Sequence, residues 1–510
     1  MMLPLVAVAQ INTKESCTSI MVGKRASTDG SVITSHTCDG RYRTWMTMEP
    51  AANHKKGSMH EVRKGTMHTR SAADTTGVRV AGLIPEVEHT YAYLNTSYPC
   101  LNEHQLAIGE STFSGPDTLV NPDAMFLIEE LERVALQRCT TAREAIRLIG
   151  DLASRYGYAD GGECITIADR NEVWQMEITG CGRDEVGAVW VAQRVPDDHV
   201  AVSCNIPRIS RLQRSNHDYF MCSDNVEAVA RKYGLWNGEG EFCFWKAFNT
   251  SWANGRNFRE REYFIFNELA PSLHLSYDMP ELPFSIKPDE KVDVQQVMEL
   301  LRSTYEGTDM DMTRNLRIAR KNKDGSVDTV VSPVANPWMG SAMQQTLNTL
   351  APGTVEFKRT VSVAWCSYSF VAQLRDWLPD AVGGVCWMAV DNPGQSPRIP
   401  VFCGNTELPA AMERCGQREY DPEAWLWQYR RANKLATVQW QTTKKLHLNT
   451  VLQQEGAAFG KLKGLEERVK ASPKKASKLL NACTREVYND SRAAWAALES
   501  RYWQLFGMGF

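Results

Sequence analysis

The chain has 510 residues, of which 43% are hydrophobic and 23% charged, a composition typical of a globular protein with a large core. Its formal net charge is -3, from 57 basic and 60 acidic residues, so it lacks the basic excess that binds a nucleic acid backbone or an anionic membrane surface. We therefore expect no nucleic acid partner. The lack of a linker or a regular repeat favours one large domain with an appended helical segment.

The first nine residues, MMLPLVAVA, form an apolar leader that ends in the small-residue pattern Ala7-Val8-Ala9. Signal peptidases cut after such a pattern, and Gln10 would then follow the cut. The leader lacks basic residues and is too short to cross a bilayer, which indicates a truncated signal peptide or a segment of another kind. We expect export to the periplasm or the exterior, and no transmembrane span is predicted.

A β-hairpin is predicted directly after residue 16. The segments CTSIMVG and SVITSHT, which start at positions 17 and 31, alternate as strands do, and Asp29-Gly30 lies in their connection. With the hairpin axis near Thr28, Cys17 and Asp39 would face each other across the two strands. This pairing is the first indication that the thiol and the carboxylate share a site.

Beyond the hairpin, the pattern predicts strands around one pair of helices. The first helix runs from the cap Asn121, with Pro122 at its first position, to residue 138, and the capping box Thr141-x-x-Glu144 opens the second, which runs to residue 155. A hairpin turn is predicted at 169–172. Strands are predicted at 90–95, 105–109, 164–168, 173–178, 188–193 and 200–203. This order favours an α+β architecture with helices on the faces of antiparallel sheets.

From residue 419 the chain changes character, with the segment WLWQYRRANKLA, a lysine-rich stretch near residue 473 and a final amphipathic run. We interpret residues 419–510 as mainly helical packing structure. The charges are mixed in sign, which favours a solvated face over a helix that docks a partner.

Cys17 is the strongest candidate for a catalytic residue. Most of the 14 cysteines are expected to be small buried residues of the core, and Cys17 could be one of them. A cysteine that becomes the first residue of a chain carries its own base, because an α-amine with a reference pKa near ~7.7 can accept the thiol proton. Asp39 would then stabilise the ammonium. The cysteines contain no C-x-x-C pair and the ten histidines no H-E-x-x-H motif, so no metal is predicted.

The segment CTSIMVGKRASTDGSVITSHTCDG at 17–40 resembles the start of mature C69-family dipeptidases. These are relatives of bile-salt hydrolases, penicillin V acylases and acid ceramidase in the N-terminal-nucleophile (Ntn) hydrolase superfamily. Three further blocks agree in order: LNEHQLAIGEST at 101–112, RVPDDHVAVSCNIPRIS at 194–210, and the segment at 359–402 that begins RTVSVAWCSYSF. The resemblance implies a four-layer αββα sandwich of antiparallel sheets over residues 17–418, with residues 1–16 removed on maturation.

The resemblance implies that Cys17 is the nucleophile, its free amine the base and Asp39 the residue that binds the amine. Asn102 resembles the residue whose amide helps to bind the tetrahedral oxyanion, and Asn205 resembles a second polar residue beside the nucleophile; an amide N–H suits that task. Without the resemblance, either Asn fits a turn equally well.

The bile-salt hydrolases carry Arg-Asn three and two residues before the Asp, where this chain has His36-Thr37. His36 would either replace the arginine, when protonated, by hydrogen bonding near the thiolate, or only fill the space. Arg208, Arg314 and Arg359 are candidates for an arginine that completes the site, and each also fits a structural or surface role.

By resemblance the substrates are dipeptides and short peptides, hydrolysed through a thioester without metal or organic cofactor. Two alternatives remain open: an acylase for N-acyl amides or bile salts with the same fold, and an inactive exported binding protein. A conventional Cys-His peptidase is disfavoured, because no histidine lies in a recognisable motif. The sequence leaves the oligomeric state open, a homo-oligomer included.

Overall fold

The computed structural model describes residues 16–249 and 256–507, with nothing said of the side chains of 256–258. The predicted leader lies outside the described residues. In chain order the strands are β1 (Ser19–Val22), β2 (Val32–Asp39), β3 (Thr47–Glu49), β4 (Ala52–Asn53), β5 (Met59–Lys64), β6 (Arg79–Pro85), β7 (His89–Thr90), β8 (Tyr93–Asn95), β9 (Leu101–Asn102), β10 (Ala107–Thr112), β11 (Glu163–Ala168), β12 (Val173–Gly180), β13 (Ala188–Arg194), β14 (Val200–Ser203), β15 (Phe220–Cys222), β16 (Ser285–Ile286), β17 (Arg317–Lys321), β18 (Val327–Val331), β19 (Cys366–Leu374), β20 (Val385–Val390) and β21 (Ile399–Phe402).

Helices separate and follow these strands. In chain order they are α1 (Ile128–Arg138), α2 (Ala142–Tyr156), α3 (Val226–Lys232), α4 (Phe244–Phe248), α5 (Arg256–Leu269), α6 (Val294–Arg302), α7 (Ser341–Leu350), α8 (Asp380–Gly383), α9 (Trp425–Ala436), α10 (Trp440–Ala471) and α11 (Ala476–Phe506). Among the described residues, no helix combines the length and apolarity that a membrane span requires.

Two large antiparallel sheets form the centre of the protein. The first has the order β16-β14-β1-β2-β19-β20-β21, and the second has the order β15-β13-β12-β11-β10-β9-β8-β3. They face each other where β2 packs against β10, β11 and β12. Even polar groups meet at this contact, since the Thr34 hydroxyl donates to the Thr166 hydroxyl at 2.9 Å. The predicted α+β class is thereby confirmed in its mixed, antiparallel character.

Helices cover the outer faces of both sheets. Helix α2 packs on β11, β12 and β13 of the second sheet, and α5, α6 and α11 pack on strands of the first. Because each sheet is covered on both faces, β1 and β2 are buried along their whole length. Strands buried on both faces lose the strict alternation of polar and apolar residues.

The hairpin that begins the described chain has a register one residue away from the predicted one. Met21 pairs with Thr34, and a bridge joins Thr18 to Thr37, so Cys17 is in register with Cys38 rather than with Asp39. The predicted Cys17–Asp39 pairing is therefore wrong in register. The difference arises in the connection between the two strands, because the hairpin axis falls between two residues instead of on Thr28. The alternation of apolar residues does not fix the register to within one residue.

The second of the two predicted helices is confirmed, and the first begins later than predicted. Thr141 and Glu144 form the predicted capping box at the start of α2. Asn121 caps no helix, because its side chain accepts from the Asp123 N–H in a turn and α1 starts at Ile128. A short polar side chain can stabilise either a turn or a helix start, which explains the error. Each predicted strand range overlaps an observed strand.

The C-terminal helices α9, α10 and α11 pack on one another and on β20 and β21. This confirms the helical interpretation of residues 419–510 for the described part of that segment. The helices share the main hydrophobic core instead of forming one of their own, since Trp440, Tyr429 and Trp495 join the cluster that contains both sheets. The described parts of residues 17–418 and 419–510 thus share one hydrophobic core.

His447 on α10 predicts an acid-dependent loss of stability. Its Nε2 donates to the Gln395 carbonyl at 2.7 Å, its Nδ1 accepts from the Tyr502 hydroxyl at 3.0 Å, and burial lowers its pKa to about 4. The unfolded chain protonates this histidine near ~6.5. Below that pH the unfolded state binds more protons, so the free energy of unfolding falls, by up to ~3 kcal/mol, as the pH drops to about 4.

His447→Gln removes that protonation. We expect it to lower the thermal midpoint at about pH 7.5, where only its hydrogen bonds are lost, and to have a smaller effect near pH 4.5, where the wild type is weakened by proton binding. Thermal unfolding of both proteins at the two pH values measures the difference. An equal gap at both pH values would contradict the interpretation.

Candidate active site

Cys17 lies just before β1, in the layer between the two sheets, and is 3% exposed. Its Sγ donates to Glu110 Oε1 on β10 at 3.4 Å. Burial and the Glu110 carboxyl raise the pKa of the thiol well above its ordinary value, while the N–H of Asp39 acts in the opposite direction. In this structure Cys17 is therefore a thiol rather than a thiolate.

His36 on β2 packs on the same carboxyl. Its Nδ1 donates to the Glu110 carbonyl at 2.8 Å, and its Nε2 lies 3.7 Å from Glu110 Oε1. Burial lowers the pKa of His36 to about 4, so the ring is neutral at neutral pH. The hypothesis that a protonated His36 replaces an arginine is thereby corrected. A Cβ at Gly109 would lie 3.1 Å from the His36 Cβ, so the close approach of β10 to β2 favours glycine there.

Glu110 also faces a second buried carboxyl, that of Glu163 on β11. Burial and the neighbouring Glu110 hold the pKa of Glu163 well above its ordinary value, so Glu163 is protonated and donates to Glu110. Burial raises the pKa of Glu110 to about 7, and the hydrogen bonds from Glu163 and Cys17 limit that rise. Glu110 is thus a carboxyl that can gain or lose a proton near neutral pH.

Asp39 lies at the end of β2 and forms a buried ion pair with Arg359. Arg359 Nη2 is 2.7 Å from Asp39 Oδ2 and 2.7 Å from the Ser16 carbonyl oxygen, and the Thr37 hydroxyl donates to the same Asp39 oxygen at 3.0 Å. Asp39 Oδ1 is buried and accepts no hydrogen bond from the described residues. The Ser16–Cys17 bond is therefore held by a guanidinium next to a carboxylate with one unused acceptor.

Arg261 on α5 holds the other side of Cys17. Its Nη1 donates to the Cys17 carbonyl at 2.5 Å, and its Nη2 donates to Asn205 Oδ1 at 2.8 Å. Asn205 has a backbone φ of 65°, and its Nδ2 donates to the Thr112 carbonyl at 2.6 Å. Within the part of the chain that the structure describes, Nδ2 makes this one hydrogen bond, which leaves its second hydrogen for another acceptor.

Asn102 does not join this site. Its Nδ2 donates to the carbonyls of Leu136 and Cys139, and its Oδ1 accepts from the N–H groups of His104 and Leu106. Both amide hydrogens are used to tie the β9 turn to the end of α1. The assignment of Asn102 as an oxyanion donor is corrected: the residue stabilises a turn.

Of the three candidate arginines, the structure brings only Arg359 to Cys17. Arg208 is buried in an ion pair with Glu262, in which its Nε lies 2.7 Å from Glu262 Oε1. Arg314 is exposed and pairs with Glu356 at 3.3 Å. Neither contacts the Ser16–Cys17 bond, so both predicted roles are corrected.

The donor atoms of Cys17, His36 and Glu110 lie within 4.8 Å of one another, a sulfur, a nitrogen and an oxygen that could also hold a metal ion. All three side chains are buried. The same closeness serves proton transfer equally well, because a thiol, a carboxyl and an imidazole are all titratable groups.

Two residues of the site, Glu110 and Arg261, were not predicted from the sequence. Glu110 lies within a quoted block and directly follows the strand predicted at 105–109, whereas the observed strand β10 continues to Thr112 and buries Glu110. A charged residue at the end of an apolar strand was the signal that could have identified it. Arg261 lies in the run of alternating charges from Arg259 to Glu262, and runs of alternating charge usually form a solvated helix face. Here Glu260, Arg261 and Glu262 are all buried.

The sequence matches the model of peptidase family C69 over residues 16–453. It is similar to a probable dipeptidase of Latilactobacillus sakei, with 27% identity over 403 residues, which cover 76% of this chain and 74% of the relative. A probable dipeptidase B of Streptococcus pyogenes serotype M1 is 23% identical over 505 residues, 94% of this chain and 87% of its own length. A probable dipeptidase of Salmonella dublin is 25% identical over 410 residues, covering 76% and 81%. The resemblance noted in the sequence is confirmed.

Proposed function

Since the chain belongs to peptidase family C69, we propose that it is a dipeptidase whose nucleophile is Cys17, exposed as the first residue when residues 1–16 are removed. The observation that carries this proposal is the buried network at the Ser16–Cys17 bond. Arg359 holds the Ser16 carbonyl and Asp39, and Arg261 holds the Cys17 carbonyl. The proposal includes an Ntn-hydrolase fold. Two facing antiparallel sheets with helices on their outer faces support such a sandwich.

Asp39 is assigned to the new α-amine. Cleavage before Cys17 creates an ammonium in a buried place, and a buried charge is tolerated only when it is paired. Among the described residues of the uncut chain, none donates a hydrogen bond to Asp39 Oδ1. The amine, once neutral, accepts the thiol proton, and Asp39 stabilises the ammonium that results.

Asn205 is assigned to the oxyanion. Its amide is held in place by Arg261 and by the Thr112 carbonyl, which fixes the direction of its second N–H. A preorganised donor of this kind stabilises the charge that develops on the substrate carbonyl and typically contributes ~2.7–4 kcal/mol. Asn205 replaces Asn102 in this role.

Hydrolysis then proceeds in two steps. The Cys17 sulfur attacks the peptide carbonyl carbon while its proton passes to the α-amine, and the ammonium returns that proton to the leaving amine as the C–N bond breaks. A water molecule hydrolyses the thioester, which releases the acid and restores the thiol. Export of the enzyme, suggested by the apolar leader, remains part of the proposal.

Intact mass, N-terminal sequencing and assays of the purified full-length chain test the proposal. We expect a chain that begins at Cys17 and hydrolyses dipeptides faster than N-acyl amides or conjugated bile salts. A chain that retains residues before Cys17 and is fully active on dipeptides would contradict the terminal-amine mechanism. A preference for N-acyl amides would instead favour the acylase alternative.

A further inference from the structure

The uncut chain has no α-amine at Cys17, so the base proposed for dipeptide hydrolysis does not exist when the Ser16–Cys17 bond must be cut. We propose that Glu110 is the general base of that first cleavage, which the chain performs on itself, with Arg359 as the donor to the oxyanion. This inference rests on the proposed function. It adds a catalytic residue that acts before the mature nucleophile is formed.

The geometry of the uncut chain supports both roles. Glu110 Oε1 is the acceptor of the Cys17 thiol at 3.4 Å. Arg359 Nη2 lies 2.7 Å from the Ser16 carbonyl oxygen, within the distance of an effective oxyanion donor. The Ser16–Cys17 bond thus has a base, Glu110, beside its nucleophile and a cation, Arg359, beside its carbonyl oxygen.

Two neighbouring residues hold Glu110 in place, one at its backbone and one at its carboxyl. The Nδ1 of His36 donates to the Glu110 carbonyl, and protonated Glu163 donates to its carboxyl. Burial and the carboxylates of Asp160 and Asp39 raise the pKa of Glu110 to about 7, whereas the hydrogen bond from Cys17 acts in the opposite direction. The other titratable groups of the described residues that interact with Glu110 are Cys38, Tyr42, Tyr98, Glu132, Tyr158 and Cys164. A general base works best when its pKa lies near the pH of the reaction.

The cleavage balances as an acyl shift. The thiol proton passes to Glu110, the sulfur bonds to the Ser16 carbonyl carbon through a five-membered ring, and the carbonyl electron pair moves to the oxygen held by Arg359. The C–N bond then breaks, and Glu110 returns the proton to the Cys17 nitrogen. A water molecule hydrolyses the thioester, which leaves a Ser16 carboxylate and the free Cys17 thiol and amine.

Self-cleavage of the full chain can be timed from the unfolded state. Precursor collected in concentrated guanidinium chloride is diluted into buffers of different pH, and the released leader is followed by mass. For the wild type we expect a rate that rises with pH and levels off above about pH 7, as Glu110 loses its proton. Hydroxylamine should trap the leader as a hydroxamate at Ser16. A rate independent of pH across this window would overturn the assignment.

Glu110→Gln is expected to slow self-cleavage by ~10²–10⁴-fold. Glu129→Gln is the matched control, because Glu129 is also a buried glutamate with a raised pKa but lies on α1, and we expect cleavage at the wild-type rate. Circular dichroism shows whether each variant has folded. Should Glu110→Gln fail to fold, Glu110→Ala with added formate replaces it, and recovery of cleavage by formate supports the assignment.

A folded Glu110→Gln precursor that cuts itself as fast as the wild type overturns the role of Glu110 and leaves the proposed dipeptidase intact. A wild-type chain that is never cut before Cys17, yet hydrolyses dipeptides, overturns the proposed function instead. The two failures are therefore distinguishable in one series of experiments.

Discussion

Cys17→Ala is expected to abolish dipeptide hydrolysis, by about 10⁴-fold or more, and to leave residues 1–16 attached. Both effects follow from one atom, since the Cys17 sulfur is the proposed nucleophile for the leader and for the substrate. The sulfur is buried within 3.4 Å of Glu110. Dipeptidase assays and intact mass measure the two effects separately.

Cys38→Ala is the matched control. Cys38 is in register with Cys17 in the hairpin and is also a buried thiol. We expect this variant to be cut before Cys17 and to hydrolyse dipeptides, with a loss of stability on the order of 1 kcal/mol from the small cavity. Full activity of Cys17→Ala, or cleavage of its leader, would rule out Cys17 as the nucleophile.

Arg261→Met is expected to lower the free energy of unfolding by about 3–5 kcal/mol. Arg261 donates to the carbonyls of Cys17 and Cys204, the Thr18 hydroxyl and Asn205 Oδ1. Methionine fills much of the volume but donates to none of these buried acceptors, and each acceptor left unsatisfied is costly. The shift of the thermal midpoint measures the loss.

Arg314→Met provides the comparison, because Arg314 is an exposed arginine that pairs at the surface with Glu356. Such a replacement changes stability by no more than about 0.5 kcal/mol. Equal stability of the two variants would show that the buried hydrogen bonds of Arg261 contribute little. Dipeptidase activity of any folded Arg261→Met would also fall, since Asn205 loses the guanidinium that orients its amide.

Local signals in the sequence identified much of the fold and part of the site. The capping box of α2 uses groups three residues apart, and the helix that it opens lies where the pattern predicts it. Cys17 could be selected because its chemistry needs only its own amine and a position after a removable segment. Asp39 could be selected because it closes the same hairpin.

The rest depended on contacts between distant segments. Asn102 and Asn205 are equal candidates in the sequence, and only the carbonyls of Leu136 and Cys139 reveal that the first is a turn residue. The same holds for the arginines, since Arg359 and Arg314 differ in burial and not in local pattern. The one-residue shift of the hairpin arises in its connection, where apolar alternation carries no information.

That shift gives the leader a further role. Asp39 pairs with Ser16, whose N–H donates to the Asp39 carbonyl at 3.2 Å. Under the proposed function, Ser16 therefore occupies in the uncut chain the place that the acyl residue of a substrate would take. Ser16 is 1% exposed, so its departure leaves room for one small side chain beside Asp39 and Arg359. Under the same proposal the leader is an internal first substrate, and we expect the mature enzyme to prefer small residues at the acyl position, as small as the serine that ends the leader.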